Sequence, residues 1–223
     1  PMHPSRLDAT ARLATDLGLF EGDHVRVDQP HVADDATLLT AHSRDYIDSV
    51  KAVSADPTLK IPGSGLDGED TPGVAGLHEA AARLAGGSEL AAESLVDGTT
   101  VRAVNFGGGM HHAHRDHASG FCVYNDCAVA IQRLLDRGTQ RVLYIDIDAH
   151  HGDGTQSIFW DEPRVMTISL HETGMSLFPG TGFSSDVGPD GEGLGGAVNV
   201  ALPTTVSDAA WLRAFHALSL IHI

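Results

Sequence analysis

Cysteine is almost missing from this chain, and aromatic residues are scarce. The two cysteines, Cys122 and Cys127, stand five apart, a spacing that makes neither a CxxC redox pair nor a disulfide framework. Reduced thiols in a cytoplasmic protein are the default expectation for such usage. Phe, Trp and Tyr amount to 5% of the residues, so Val, Ile, Leu and Ala have to do most of the packing. No apolar run approaches the roughly 20 residues needed to span a bilayer. Nor does a basic segment followed by an apolar stretch mark a secretion signal. Basic residues are outnumbered, 14 Lys and Arg against 30 Asp and Glu, for a formal net charge of −16. That balance argues against broad binding to nucleic acid or to an anionic membrane and suits a cationic substrate. An acidic surface is also an ordinary route to solubility. Internal repeats and low-complexity tracts are absent.

What is present fits one α/β domain of 223 residues, 42% hydrophobic and 20% charged, with apolar material for a large core. Leu7, Ala11, Ala14 and Leu17 share one face of a helix over 5–19, which Gly18 closes. Residues 36–52 predict a short helix pair with a turn near Ser43. The stretch DPTLKIPGSGLDGEDTPG (56–73) is a long surface loop, of a length that tends to be functional or mobile. A helix follows over 74–96. Its central Gly86-Gly87 would each cost about 1 kcal/mol against alanine, which predicts close backbone packing there. Then the pattern changes. VRAVNF (101–106), RVLYIDID (141–148), RVMTISL (164–170) and AVNVAL (197–202) are strands, and RVLYIDID is apolar enough to be covered on both faces. Asn125 or Asp126 caps a helix that runs through 137, GDGTQSIFW begins a short one, and another begins at Ser207. Strands alternating with helices predict a three-layer α/β/α fold with a mostly parallel sheet.

Two His-His pairs stand out. In extended backbone every second side chain points the same way, so Asp146, Asp148 and His150 converge if the extended conformation outlasts the strand. They sit at the C-terminal end of a parallel strand, where open α/β sheets bind their ligands. Crowding carboxylates there is costly unless a positive charge, a divalent metal or a protonated histidine, sits among them. His151 and Asp153 add to the cluster. The second pair, His111-His112, follows Gly107-Gly108-Gly109. Adjacent histidines cannot both face a core, so at least one is expected to face a cleft or to have a polar partner.

These stretches resemble one family. GGGMHHAHRDHASGFCVYNDCAVAI, VLYIDIDAHHGDGTQSIFW and RVMTISLHETGMSLFPGTG look like the zinc-dependent histone deacetylases, more narrowly the class I branch and bacterial acetoin-utilisation-type deacetylases. HPSR near the start and GEDTPGVAGLHEAAARLAGGS extend the likeness over nearly the whole chain. The resemblance implies an arginase/deacetylase-like fold and hydrolysis of the acetyl amide of acetyl-lysine. Asp148 and His150 match two of three metal ligands, an oxygen-and-nitrogen set suited to Zn²⁺ or Fe²⁺. Asp146 is expected to hydrogen-bond His111, and Asp153 to hydrogen-bond His112. His112 is the expected general base and acid and His111 an electrostatic stabiliser, with a swap of the two left open. Gly120, Phe121 and Phe178 match the acyl-lysine channel, and Arg6 an arginine near its inner end. Asp146, Asp148, His150, Ser169 and Leu170 resemble a monovalent-cation site for K⁺. His151 matches a position that is not a metal ligand.

The resemblance also implies parts with no match in residues 203–223: a third metal ligand, an aspartate, and a tyrosine that stabilises the oxyanion. The chain opens on PMHPSR with no preceding strand, and SLIHI does not continue the helix that begins at Ser207. The expectation is therefore a single catalytic domain over 1–223, truncated at the C-terminus by about a third and at the N-terminus, and inactive on its own. The expected substrate is an acetylated lysine of a protein or a cationic acetylated small molecule. An acetylpolyamine amidohydrolase and an inactive acyl-lysine binding module are the alternatives. An arginase-type manganese ureohydrolase would need a two-metal aspartate set that the sequence lacks.

Overall fold

The computed structural model describes residues 5–189 and 195–219; the His3-Pro4 half of HPSR and the closing LIHI of SLIHI lie outside them. The chain forms two compact units, Pro1–Gly138 and Thr139–Ile223.

The first unit is helical: α1 (Ser5–Asp16), α2 (Asp35–Leu38), α3 (Arg44–Ala55), α4 (Leu77–Val96) and α5 (Asp126–Asp136). Local chemistry sets the starts. Asp34 caps α2 by accepting from the Thr37 amide, and Ser43 caps α3 by accepting from the Tyr46 amide. Leu38, Ile47, Val50, Val53, Leu66 and Tyr124 are fully buried, each aliphatic side chain contributing about 1.5–3 kcal/mol by leaving water. Tyr46 is buried as well and donates its hydroxyl to the Val123 carbonyl at 2.6 Å. The central glycines of α4 behave as the sequence predicts. A side chain at Gly86 would run into the backbone carbonyl of His31, and one at Gly87 into the Asn105 amide.

The apolar residues of α1 are largely uncovered: Leu7 and Leu17 are exposed, and Ala14 is its one buried residue. One expectation fails in this unit, since 101–106 is not a strand. Val101 and Val104 are 89% and 75% exposed, and among the described residues no strand pairs with the segment. Without a ladder neighbour, β propensity has nothing to stabilise. The segment is tied to α4 instead, Asn105 donating to the Leu84 carbonyl (3.1 Å) and to Ser88 Oγ (2.9 Å).

The second unit carries the parallel sheet: β1 (Val142–Asp146), α6 (Asp153–Ile158), β2 (Val165–Glu172), β3 (Ala197–Leu202) and α7 (Asp208–Ser219), with strand order β1-β2-β3. Val165, Ile168, Leu170 and Ala197 are buried. The register sets Asp146 beside Ser169 and Ser169 beside Asn199. Contrary to expectation, β1 is not covered on both faces, since Leu143, Ile145 and Ile147 are each more than 40% exposed. In the described sheet β1 is an edge strand and has only β2 beside it.

Candidate active site

In the first unit His111 and His112 follow the glycine-rich turn. Both are buried, 7% and 5% exposed, with ring centroids 4.1 Å apart and ring planes tilted by 47°. Further along, Ser119 and Cys122 exchange backbone hydrogen bonds (2.8 and 3.2 Å) around Gly120 and Phe121. Both central residues have positive φ, 52° and 68°, as a tight primed hairpin turn requires. Glycine accepts that conformation freely. For an aromatic residue it costs about 1–2 kcal/mol, and Phe121 is the only non-glycine among the described residues to adopt it. Its amide donates to Thr71 Oγ1 at 3.1 Å, so the long loop 56–73 supports this turn. The ring is 44% exposed: backbone strain presents a large apolar side chain outward. Arg6 is exposed in the first turn of α1.

In the second unit the extended backbone ends at Asp146, one turn earlier than convergence by alternation would need. The three residues are brought together by another route. Asp146 Oδ1 accepts from the Asp148 amide (3.1 Å), and Asp148 Oδ1 accepts from the His150 amide (2.8 Å). These are two successive Asx turns. Asp146 is buried and also accepts from the Tyr144 hydroxyl at 2.7 Å. Asp148 and His150 face outward, their side chains 52% and 41% exposed, with His150 Nδ1 2.9 Å from Asp148 Oδ1.

A metal ion suits that pair. One carboxylate oxygen and one imidazole nitrogen converge within ligand spacing, a donor set that takes Zn²⁺ or Fe²⁺. Among the described residues no third His, Cys, Asp or Glu joins them. Asp153 opens α6, where a carboxylate meets the positive end of the helix dipole.

Behind this loop, His151 and His171 lie 4.8 Å apart, both buried. Burial pushes both imidazoles below their ordinary pKa, and every ring nitrogen has a partner. His151 Nε2 donates to Gln156 Oε1 (3.1 Å) and its Nδ1 accepts from Thr181 (2.8 Å). His171 Nε2 donates to the Gly182 carbonyl (2.8 Å) and its Nδ1 accepts from Ser169 (2.8 Å). The two rings thereby hold the FPGTG loop, whose Phe178 is 44% exposed with its ring edge toward His150, 6.3 Å between centroids. Ser169 and Leu170 are buried on β2 beside Asp146.

The expected pairs Asp146–His111 and Asp153–His112 join residues of different units and remain expectations. Sequence reasoning missed Thr71, Thr181, Gln156 and His171 as supports. It also treated Asn125 and Asp126 as interchangeable caps. Asn125 alone caps α5, accepting from the Ala128 amide at 2.9 Å. The available signal was that two adjacent capping residues leave one free for another partner.

Residues 1–222 match the histone deacetylase domain. The chain is 44% identical over 218 residues to the acetoin utilization protein AcuC of Bacillus subtilis (strain 168), covering 96% of this chain and 55% of that protein. It is 38% identical over 217 residues to AcuC of Staphylococcus xylosus, covering 96% of this chain and 56% of that one. It thus spans about half the length of these relatives. Among solved structures, the HDA15 HD domain superposes with a TM-score of 0.86 at 32% identity, over 98% of this chain and 62% of that chain. An HDAC homolog complexed with SAHA gives 0.83 at 31% identity, over 95% of this chain and 57% of that chain. The α/β fold is the one these structures share.

Proposed function

Because the chain belongs to the histone deacetylase domain family, we propose that the full-length protein carrying it is a metal-dependent amidohydrolase. It removes the acetyl group of acetyl-lysine side chains in proteins and releases acetate. The observation that carries this reading is the outward-facing pair Asp148 Oδ1 and His150 Nδ1, 2.9 Å apart at the end of a parallel strand.

Asp148 and His150 would hold Zn²⁺ or Fe²⁺ as two of its protein ligands. When bound, the cation polarises the acetyl carbonyl and acidifies a water molecule. His112 takes a proton from the attacking water and returns it to the leaving amine, while His111 stabilises the charge that develops. Asp146 and Asp153 fix the tautomers of His111 and His112 and raise their basicity. Phe121 and Phe178 grip the methylene stem of the substrate between apolar faces, and Gly120 accepts from its amide. Arg6 lines the inner end of the channel. Asp146, Asp148, His150, Ser169 and Leu170 would hold K⁺ as a structural ion. The 223-residue chain belongs to a single catalytic domain and has little or no activity alone, because it lacks the third ligand and the oxyanion donor. The protein acts in the cytoplasm, without nucleic acid or membrane.

The formal charge of −16 suits a cationic acetylated small molecule equally well, so acetylpolyamine hydrolysis is the second reading. Acetate release from acetyl-lysine peptides and from N-acetylated polyamines, measured with the full-length protein and its His112→Ala variant, separates the two. The account predicts turnover of the peptides and a loss of at least about 100-fold in kcat for the variant. Turnover confined to polyamines would move the assignment to the second reading. No turnover of either, with metal bound, would leave a binding module.

A further inference from the structure

His111 and His112 sit on backbone that owes its shape to neighbouring side chains. Asp126, 1% exposed, does not cap α5. Its carboxylate turns back and accepts from the Gly109 amide (3.0 and 3.2 Å), the Met110 amide (2.7 Å) and the Ser88 hydroxyl (2.5 Å). Ser88 is held in turn by Asn105. The room for this is specific, since a side chain at Gly108 would run into the Asp126 carboxylate. Asn125, fully buried, donates its side-chain amide to the carbonyls of His111 (3.3 Å) and Ala113 (2.9 Å). His42 closes the far side. Its Nε2 accepts from the Asn125 amide and its Nδ1 donates to the His114 carbonyl, both at 2.9 Å.

We propose that Asn125 and Asp126 are positioning residues for the twin histidines. One anchors the two amides that precede them, the other the carbonyls at and after them. The carboxylate oxygens of Asp126 only accept and the side-chain nitrogen of Asn125 only donates, so each residue suits only its own half of the loop. A buried carboxylate taking three donors is costly to replace, which makes the clamp stiff. Imidazoles that exchange protons with a substrate need such stiffness, because displacing a catalytic group by about 1 Å costs up to roughly 100-fold in rate. This role rests on the reading of His112 as the proton carrier. The clamp itself does not.

The test uses the full-length protein with Asp126→Asn and Asn125→Asp. Gly86→Ala serves as a control that disturbs α4 without touching residues 109–114. Three quantities are measured: kcat and KM for an acetyl-lysine peptide, amide exchange at Gly109 and Met110, and thermal unfolding. The expected result is a fall in kcat of about tenfold or more in both clamp variants, with KM within about twofold. Exchange at Gly109 and Met110 should be faster, and the Gly86→Ala protein should keep its kcat at a comparable loss of stability. A kcat within twofold of wild type in folded clamp variants would overturn the proposal. So would clamp variants that fail to fold while Gly86→Ala folds, which would make the pair a part of the core. An inactive wild-type protein would sink the deacetylase reading instead, and unchanged exchange at Gly109 and Met110 would then sink the clamp as well.

Discussion

The loop bearing His111 and His112 is held from outside by side chains of distant sequence, His42, Ser88, Asn125 and Asp126, and its imidazoles are buried. The loop bearing Asp148 and His150 is held by its own aspartates through two Asx turns, and its donor atoms face outward. The contrast matches the roles proposed for the two loops. A proton carrier works at one fixed position, which a backbone held from several sides would secure. Side chains proposed to ligate a metal ion must stay accessible, so local turns suffice to aim them. Damage to the first loop should therefore appear as lost stability and lost turnover, and damage to the second as lost metal.

The largest effect on stability is expected from acid. Burial pushes His42 from its ordinary 6.5 down to about 4, so the folded protein keeps it neutral while the unfolded chain takes up a proton. Its contribution is fully present above pH 6.5, falls progressively between 6.5 and about 4, and is exhausted below. The total is about 3 kcal/mol. Urea unfolding of the wild type and of His42→Gln across that range should converge as pH falls; parallel curves would show that His42 is not the titrating anchor. Next is Gly86→Ala, which sets a methyl group against the His31 carbonyl and should cost about 1–3 kcal/mol despite better helix propensity. A neutral or stabilising result would mean that α4 and His31 are free to separate. The smallest effect is expected at Asp148→Asn. Its contact with His150 is about half exposed, so stability should change by less than about 1 kcal/mol.

Which parts of this were legible in the sequence depends on range. Helix caps at Ser43 and Asn125, the close approach at Gly86, and the three strands at 142–146, 165–172 and 197–202 are written in neighbouring residues. The failures, a strand at 101–106 and the covering of both faces of β1, concern segments whose state depends on a distant partner. VRAVNF has strand propensity, yet propensity does not supply a ladder. In the site, alternation misjudged how the DIDxHHGD residues come together, since Asx turns rather than extended backbone relate Asp146, Asp148 and His150. The clamp was hidden because His42, Ser88 and Asp126 are separated by up to 84 residues (126 − 42). Only tertiary structure brings them to one loop.

The most direct test of the central claim is the metal content of the purified full-length protein and of its Asp148→Ala variant after dialysis against Zn²⁺ or Fe²⁺. The account predicts one equivalent in the wild type and a loss of affinity of about 100-fold or more in the variant, with the fold retained. A folded Asp148→Ala protein that binds the ion as tightly as the wild type would contradict it.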